Sequence, residues 1–341
     1  LVSKAYDVAV VGATGLVGET LTQVLEERGF PAGKLYALAS ERSVGHTVKF
    51  RGEVIPVRAL EEFDFEATQI AFFAASAGVS AQFAPKAAAL GNVVIDSSAH
   101  FRYDEEVPLV VPEVNPARIA DYTRQGIIAS PGCATIPLVV ALKPIHDAAG
   151  VERVNVATYQ SVSSGGRAAV DTLTEHTRQV LAGLDPMMRG KGKWVAFNVV
   201  PHIDDFTDSG YTKQEMNMIW ETRKILESPQ IMVNPTAVRV PVFFGHSEAV
   251  HIETRTKVTV AEVRKLLNSA PGVVLLDGHE LGAYPTAATD VAGRDGVFVG
   301  RVREDSSHAR GVDLWIVADN VRKGAATNSV QIAEILVNQF M

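Results

Sequence analysis

The chain has a single cysteine among its 341 residues. It cannot close an intramolecular disulfide, and a reducing cytoplasm is its expected setting. There is no run of eighteen apolar residues, so no membrane-spanning helix is expected. The first residues run directly into a strand pattern, without the basic and apolar stretches of a secretory leader. Charge of one sign is lacking too: 32 basic residues are interspersed with 39 acidic ones, for a formal net charge of −7. That balance argues against a nucleic-acid or anionic-membrane surface. Internal repeats and low-complexity segments are absent, and no metal is expected.

What is present is core material. Hydrophobic residues make up 47% of the chain, enough for a substantial interior, and the length suggests two domains rather than one. Over the first 130 residues or so, short apolar runs at 5–11, 69–75, 93–96 and 126–129 read as strands buried on both faces. Helical spacing over 15–28 and 80–90 separates them. This is the grammar of an α/β fold with a Rossmann-type, doubly wound parallel sheet. From about Val151 longer alternating runs appear, at 154–162, 236–244 and 249–258, among helices at 166–181, 213–226 and 259–270. They predict an α+β substrate and dimerisation domain with a largely antiparallel or mixed sheet. A final helix is expected over 322–340. The expected division is 1–132 for the dinucleotide domain, 133–318 for the catalytic domain, and 319–341 for a C-terminal helix returning to the first.

The first strand ends in Gly12-Ala13-Thr14-Gly15-Leu16-Val17-Gly18, directly before a helix. Glycines there allow a tight turn and let a pyrophosphate approach backbone N–H groups at the helix N-terminus. The spacing is GxxGxxG rather than GxGxxG, and it is the placement that favours a dinucleotide site over a merely structural turn. The next strand, over 34–39, ends in Ser40-Glu41-Arg42-Ser43. Glu41 could bind a ribose 2′-hydroxyl, as in NAD enzymes. Arg42, between two hydroxyls, better suits a 2′-phosphate, which favours NADP.

Cys133 follows an apolar strand and opens an apolar helix over 134–146. A thiol at a helix N-terminus has its thiolate stabilised by the dipole and by free N–H groups. The carboxyl end of a parallel strand is also where doubly wound sheets bind ligands. A packing cysteine would more naturally sit inside a strand or helix, so the position favours a nucleophile.

Around these residues the chain resembles the aspartate-semialdehyde dehydrogenase family over essentially its whole length. The matching segments are GATGLVG, ASERSVG, IDSSAHFR at 95–102, VPLVVPEVN at 107–115 and the Cys133 segment. They continue with TYQSVSSGGR at 158–167, VRVPVFFGHSE at 238–248 and VADNVRKGAATNSVQIAE at 317–334. The resemblance implies a cytoplasmic, homodimeric oxidoreductase of amino-acid biosynthesis. In that chemistry a cysteine thiolate attacks an aldehyde and hydride passes to NADP+. Phosphate then releases the thioacyl group as an acyl phosphate. Cys133 matches the nucleophile, and His246 matches an acid/base histidine expected to titrate near neutrality. Gln160 matches the glutamine that orients the intermediate, and Arg239 the clamp for a substrate carboxylate. Arg102 matches a phosphate-binding arginine; Asn320 and Gly324 resemble residues that close over the cofactor. Arg239 and His246 are seven residues apart, so an unbroken strand would face them oppositely. A bend at Pro241 or Gly245 is required if both reach one site.

Three positions depart from the family pattern. Gly132 stands where Asn usually precedes the nucleophile. Gln214 and Asn217, i and i+3 on one helix face, stand where Glu and Lys are usual. Neutral Gln214 cannot pair with a substrate ammonium, and Asn217 leaves Arg102 as the main cation for phosphate. The combination resembles the USG paralogue group within the family. Pro-Gly-Cys also resembles N-acetyl-glutamyl-phosphate reductases, whose substrate has an amide in place of the ammonium. Two classes of function follow: an NADP-dependent enzyme for a semialdehyde or acyl phosphate with an altered clamp, or a non-catalytic NADP-binding paralogue.

Overall fold

The computed structural model describes residues 4–187 and 192–341. The chain divides into two compact units, residues 1–132 with 325–341, and residues 133–324. The second unit thus runs to Gly324 rather than to residue 318.

The first unit is built on a seven-stranded sheet. Its strands are β1 (Tyr6–Val11), β2 (Ala32–Ala39), β3 (Thr47–Phe50), β4 (Glu53–Ala59), β5 (Ile70–Phe73), β6 (Val93–Asp96) and β7 (Ile127–Ala129). They lie in the order β3-β4-β2-β1-β5-β6-β7, all parallel except the antiparallel β3/β4 pair. With β3 set aside, the parallel strands take the 3-2-1-4-5-6 order of a dinucleotide fold. β1, β5 and β6 are apolar along almost their whole length because both faces are covered. Helices α1 (Leu16–Glu27) and α2 (Ala77–Ala89) make two of the crossovers. The connection between β2 and β4 holds a short 3₁₀ turn at Glu41–Ser43 and strand β3 instead of a helix. The hairpin over 47–59 is an addition to the sequence reading: β3 alternates over only four residues, and β4 is mostly exposed and interrupted by charges and a proline.

The second unit opens with α3 (Thr135–Ala149), followed by β8 (Val151–Gln160), α4 (Arg167–Leu181), α5 (Lys213–Ile225), β9 (Met232–Arg239) and β10 (His246–Thr254). Then come α6 (Val260–Ser269), β11 (Val273–Leu275), β12 (Val297–Glu304) and β13 (Gly311–Ala318). The six strands form one mixed sheet in the order β11-β12-β13-β10-β8-β9. β8/β9 and β11/β12 are parallel and the other pairs antiparallel. Buried and half-buried residues alternate along β10, so one face of the sheet is interior. α3 covers that face, in contact with β8, β10, β12 and β13 and flanked by α5 and α6. Its residues Ile136 to Leu142 are all buried, which is why that stretch reads as continuously apolar.

Two expected elements are corrected. The strand expected over 236–244 ends at Arg239, because Pro241 has no N–H for a ladder and the Val242 N–H turns back to the Val240 carbonyl. The helix expected over 322–340 begins as a π-type turn at Arg322–Ala326 and becomes α7 only over Thr327–Gln339. α7 packs its Val330, Ala333 and Leu336 into the same core as Leu21, Val24 and Leu25 of α1. Arg28 and Glu334 join the two helices by a bidentate pair at 2.7 Å. No helix among the described residues is long and apolar enough to cross a membrane.

α5 is pinned at both ends. Thr212 and Glu215 form a reciprocal capping box at its start. The second Glu215 oxygen accepts the Ala237 N–H of β9 at 2.8 Å. Glu221, two turns on, accepts the Thr135 hydroxyl at the start of α3. Glu215→Ala leaves the buried N–H groups of Thr212 and Ala237 without their acceptor. A loss of roughly 2–4 kcal/mol is expected in urea unfolding; a change below about 1 kcal/mol contradicts this anchoring role.

Candidate active site

The loop after β1 has the geometry that a dinucleotide phosphate needs. Gly12 has φ +83°, and a Cβ there would sit 2.4 Å from the Ala74 carbonyl oxygen. A Cβ on Gly18 would sit 2.2 Å from the Gly12 oxygen, so α1 packs on the loop only without one. Gly15, the N-cap of α1, meets only the Gly12 oxygen, at 3.3 Å, and offers no side-chain cap to the helix. The N–H groups of the first turn are therefore left for an anion, and the three glycines serve turn, packing and approach in turn. The turn after β2 stands beside this loop, with Thr14 Oγ1 3.5 Å from Ser43 Oγ. Ser40 and Arg42 are exposed there. In the same unit the Arg102 guanidinium donates to the Ser97 carbonyl at 2.8 Å.

In the second unit the expected catalytic residues arrive at neighbouring strand ends. Gln160 closes β8 and is paired in register with Arg239, which closes β9. Ser247 pairs with Tyr159, so His246 opens β10 one step further along that register, beside Gln160. Between Arg239 and His246 the chain turns through Gly245, at φ +87°, where a Cβ would meet Ala287 at 2.9 Å. The seven-residue mismatch is thus resolved by two separate strands flanking β8.

Cys133 lies two residues before α3, whose N-cap, Ala134, provides no side-chain hydrogen bond. Its Sγ is 3.2 Å from His246 Nε2. The other ring nitrogen, Nδ1, accepts the Ser161 N–H at 3.1 Å. A backbone N–H can only donate, so Nδ1 is bare and the neutral ring carries its proton on Nε2, facing the sulfur. His246 is 1% exposed. Burial, and secondarily the Arg239 charge, push its pKa down to about 3, against a smaller opposing pull from the Gly245 backbone. The histidine expected to titrate near neutrality is therefore neutral at physiological pH, because no solvent reaches it to stabilise an imidazolium. Glu248, two residues on along the same face of β10, is fully buried, and burial raises its carboxyl well above the usual range.

Arg239 donates to the Ser161 carbonyl and, at 2.6 Å, to Ser164 Oγ. Burial lowers its pKa while the Cys133 sulfur acts the other way; a guanidinium remains charged near neutrality. Gln160 is 1% exposed and donates to Thr158 Oγ1 at 3.1 Å. Asn320, expected over the cofactor, is 3% exposed and turned inward. Its Oδ1 accepts from Ser161 Oγ at 2.9 Å and from the Gly245 N–H at 2.9 Å. Gly324 packs on Cys133 itself, where a Cβ would lie 3.0 Å from Cys133 Cβ.

Gln214 and Asn217 share the α5 stripe that includes Glu221 (i, i+3, i+7), the residue bonded to Thr135 at the start of α3. Glu215, the acidic residue next to Gln214, is consumed by Thr212 and Ala237 and cannot stand in for the missing carboxylate. Sequence reasoning missed Ser161, Ser163 and Ser164. They sit in an ordinary polar turn after a strand, and nothing in such a turn signals its backbone directions.

Residues 7–122 match the family model of the semialdehyde dehydrogenase NAD binding domain, and residues 142–323 that of the semialdehyde dehydrogenase dimerisation domain. The aspartate-semialdehyde dehydrogenase of Legionella pneumophila is 55% identical, over 99% of this chain and 98% of its own length. The crystal structure of aspartate semialdehyde dehydrogenase II of Vibrio cholerae, complexed with ASA, is 53% identical. It superposes with a TM-score of 0.97 over 99% of this chain and 100% of its own. A probable aspartate-semialdehyde dehydrogenase of Pseudomonas aeruginosa is 34% identical over 99% and 100%, with a TM-score of 0.94. With the dinucleotide loop, the Cys133–His246 pair and these full-length similarities in place, the chain belongs to the aspartate-semialdehyde dehydrogenase family.

Proposed function

We propose that this protein interconverts a short semialdehyde and its acyl phosphate with NADP, through a thioacyl group on Cys133. The observation that carries the reading is the 3.2 Å approach of Cys133 Sγ to His246 Nε2, with the tautomer held by the Ser161 N–H. A neutral imidazole donating through Nε2 favours the thiolate without needing to accept its proton. The Cys133 thiolate attacks the aldehyde carbon, forming the S–C bond as the carbonyl pair moves onto oxygen. As charge leaves the sulfur, the same Nε2–H can follow it to the oxyanion. Bound NADP+ supplies the hydride acceptor, and loss of hydride lets the oxyanion re-form a carbonyl as the Cys133 thioester. Phosphate oxygen then attacks that carbon, the C–S bond breaks, the thiolate returns, and the phosphate proton goes to solvent. Arg239 binds the substrate carboxylate, Gln160 orients the intermediate and Arg102 meets phosphate. Ser40, Arg42 and Ser43 suit the 2′-phosphate of NADP.

The substrate clamp is where this chain parts from an enzyme for aspartate semialdehyde. The Vibrio cholerae relative is described as complexed with ASA; here Gln214 offers no charge to an ammonium. One unpaired partner of a desolvated pair costs on the order of 3–5 kcal/mol. An uncharged or N-acylated amino group suits Gln214 better. The protein works as a homodimer through its second unit, in a reducing compartment such as the cytoplasm, where its lone thiol stays reduced.

Phosphate-dependent NADP+ reduction, assayed over free and N-acylated semialdehydes, tests the reading. Turnover is expected with at least one and is lost in Cys133→Ala; tight NADP binding without turnover on any of them favours a non-catalytic paralogue. Gln214→Glu with Asn217→Lys should raise kcat/KM for aspartate semialdehyde on the order of a hundredfold. An unchanged rate in the folded double variant places the defect outside the clamp. The buried imidazole also predicts acid sensitivity. Below pH 6.5 the unfolded chain takes up a proton at His246 while the folded one, with its pKa near 3, does not. Stability is therefore lost as pH falls through that window, by up to about 1.4 kcal/mol per pH unit from this group. His246→Asn should flatten the unfolding free energy against pH between about 6.5 and 5 relative to wild type; parallel curves would mean that the histidine protonates in the folded state.

A further inference from the structure

We infer that Asn320 is a positioning residue for His246: it fixes the frame that leaves Nδ1 bare and turns the Nε2–H toward Cys133. The inference rests on Cys133 and His246 being the reacting pair. Two backbone segments border the imidazole. One is the turn at Gly245, immediately before it in the chain, and the other is Ser161, whose N–H meets Nδ1. Asn320 holds both. Its Oδ1 accepts the Gly245 N–H at 2.9 Å and the Ser161 hydroxyl at 2.9 Å.

The amide orientation follows from chemistry, since the Gly245 N–H can only donate and so must face oxygen. The amide nitrogen then faces Ser163 Oγ at 2.9 Å. Ser163 Oγ is 3.1 Å from both Ser161 Oγ and Asn320 Oδ1, and with its hydroxyl on Ser161 a ring closes: Asn320 Nδ2–H to Ser163, Ser163 to Ser161, and Ser161 back to Asn320 Oδ1. Each hydroxyl in that ring donates once and accepts once, and such a closed series strengthens its members. With its proton committed to Asn320, the Ser161 hydroxyl lies 3.2 Å from Nδ1 without donating to it. The Ser161 N–H is then the donor that sets the tautomer. The same serine's carbonyl takes the Arg239 guanidinium, so the ring steadies both sides of the site. A residue 3% exposed, with its oxygen already accepting from a backbone and a hydroxyl donor, has its polar capacity directed inward.

The test needs neither substrate nor dinucleotide. Cys133 is the only thiol, so its alkylation by iodoacetamide reports its thiolate directly across pH. In Asn320→Ala the alkylation rate at neutral pH should fall about tenfold, with the midpoint moving up about one pH unit. Asn320→Asp keeps the accepting oxygen and should recover the alkylation rate to within about threefold of wild type. Should the alanine variant not fold, Ser161→Ala, which removes the hydroxyl but keeps the N–H, carries the same expected direction. An unmoved alkylation profile overturns the inference, whether or not NADP+ binding weakens. A semialdehyde assay without turnover would count against the proposed reaction while leaving this readout intact.

Discussion

The main chain of Ser161 constrains everything around the sulfur. Its N–H selects the tautomer of His246, and its C=O receives Arg239. Both groups lie in the turn that follows β8, at the end of the strand between β9 and β10. Strand pairing therefore delivers Arg239 and His246 to opposite sides of one backbone segment, and that segment orients both. A side chain could rotate away from such a task, whereas a peptide unit anchored at a strand end cannot without breaking the ladder.

Burial shapes the electrostatics of the same region. The imidazole is kept neutral because it is enclosed and lies near a guanidinium. Enclosure likewise raises the Glu248 carboxyl well above the usual carboxylate range. Arg239 retains its charge and sits partly exposed, where a carboxylate can reach it.

α5 shows how a binding surface can change while its scaffold does not. Glu215 and Glu221 are committed to Thr212, Ala237 and Thr135, so the helix keeps its place whatever stands at 214 and 217. Gln214 and Asn217 lie between these anchors on the same helix and take no part in them.

The glycine loop, the doubly wound sheet and the position of Cys133 were legible in the sequence because each depends on local rules. Glycine spacing at 12, 15 and 18 reflects backbone geometry at those positions, and apolar runs reflect strands covered on both faces. Cys133 stood out by its place between a buried strand and a buried helix. The expectation of a titrating His246 failed because pKa depends on enclosure, which is made by residues far away in the chain. The inward turn of Asn320 and the role of Ser161 were equally hidden, since hydrogen-bond direction at a strand end is set by neighbouring strands. Sequence alone determined which chemical groups are available and which segments carry them. Tertiary structure decided their protonation, tautomer and partners, because burial and strand register are properties of the assembled sheet rather than of any stretch of chain.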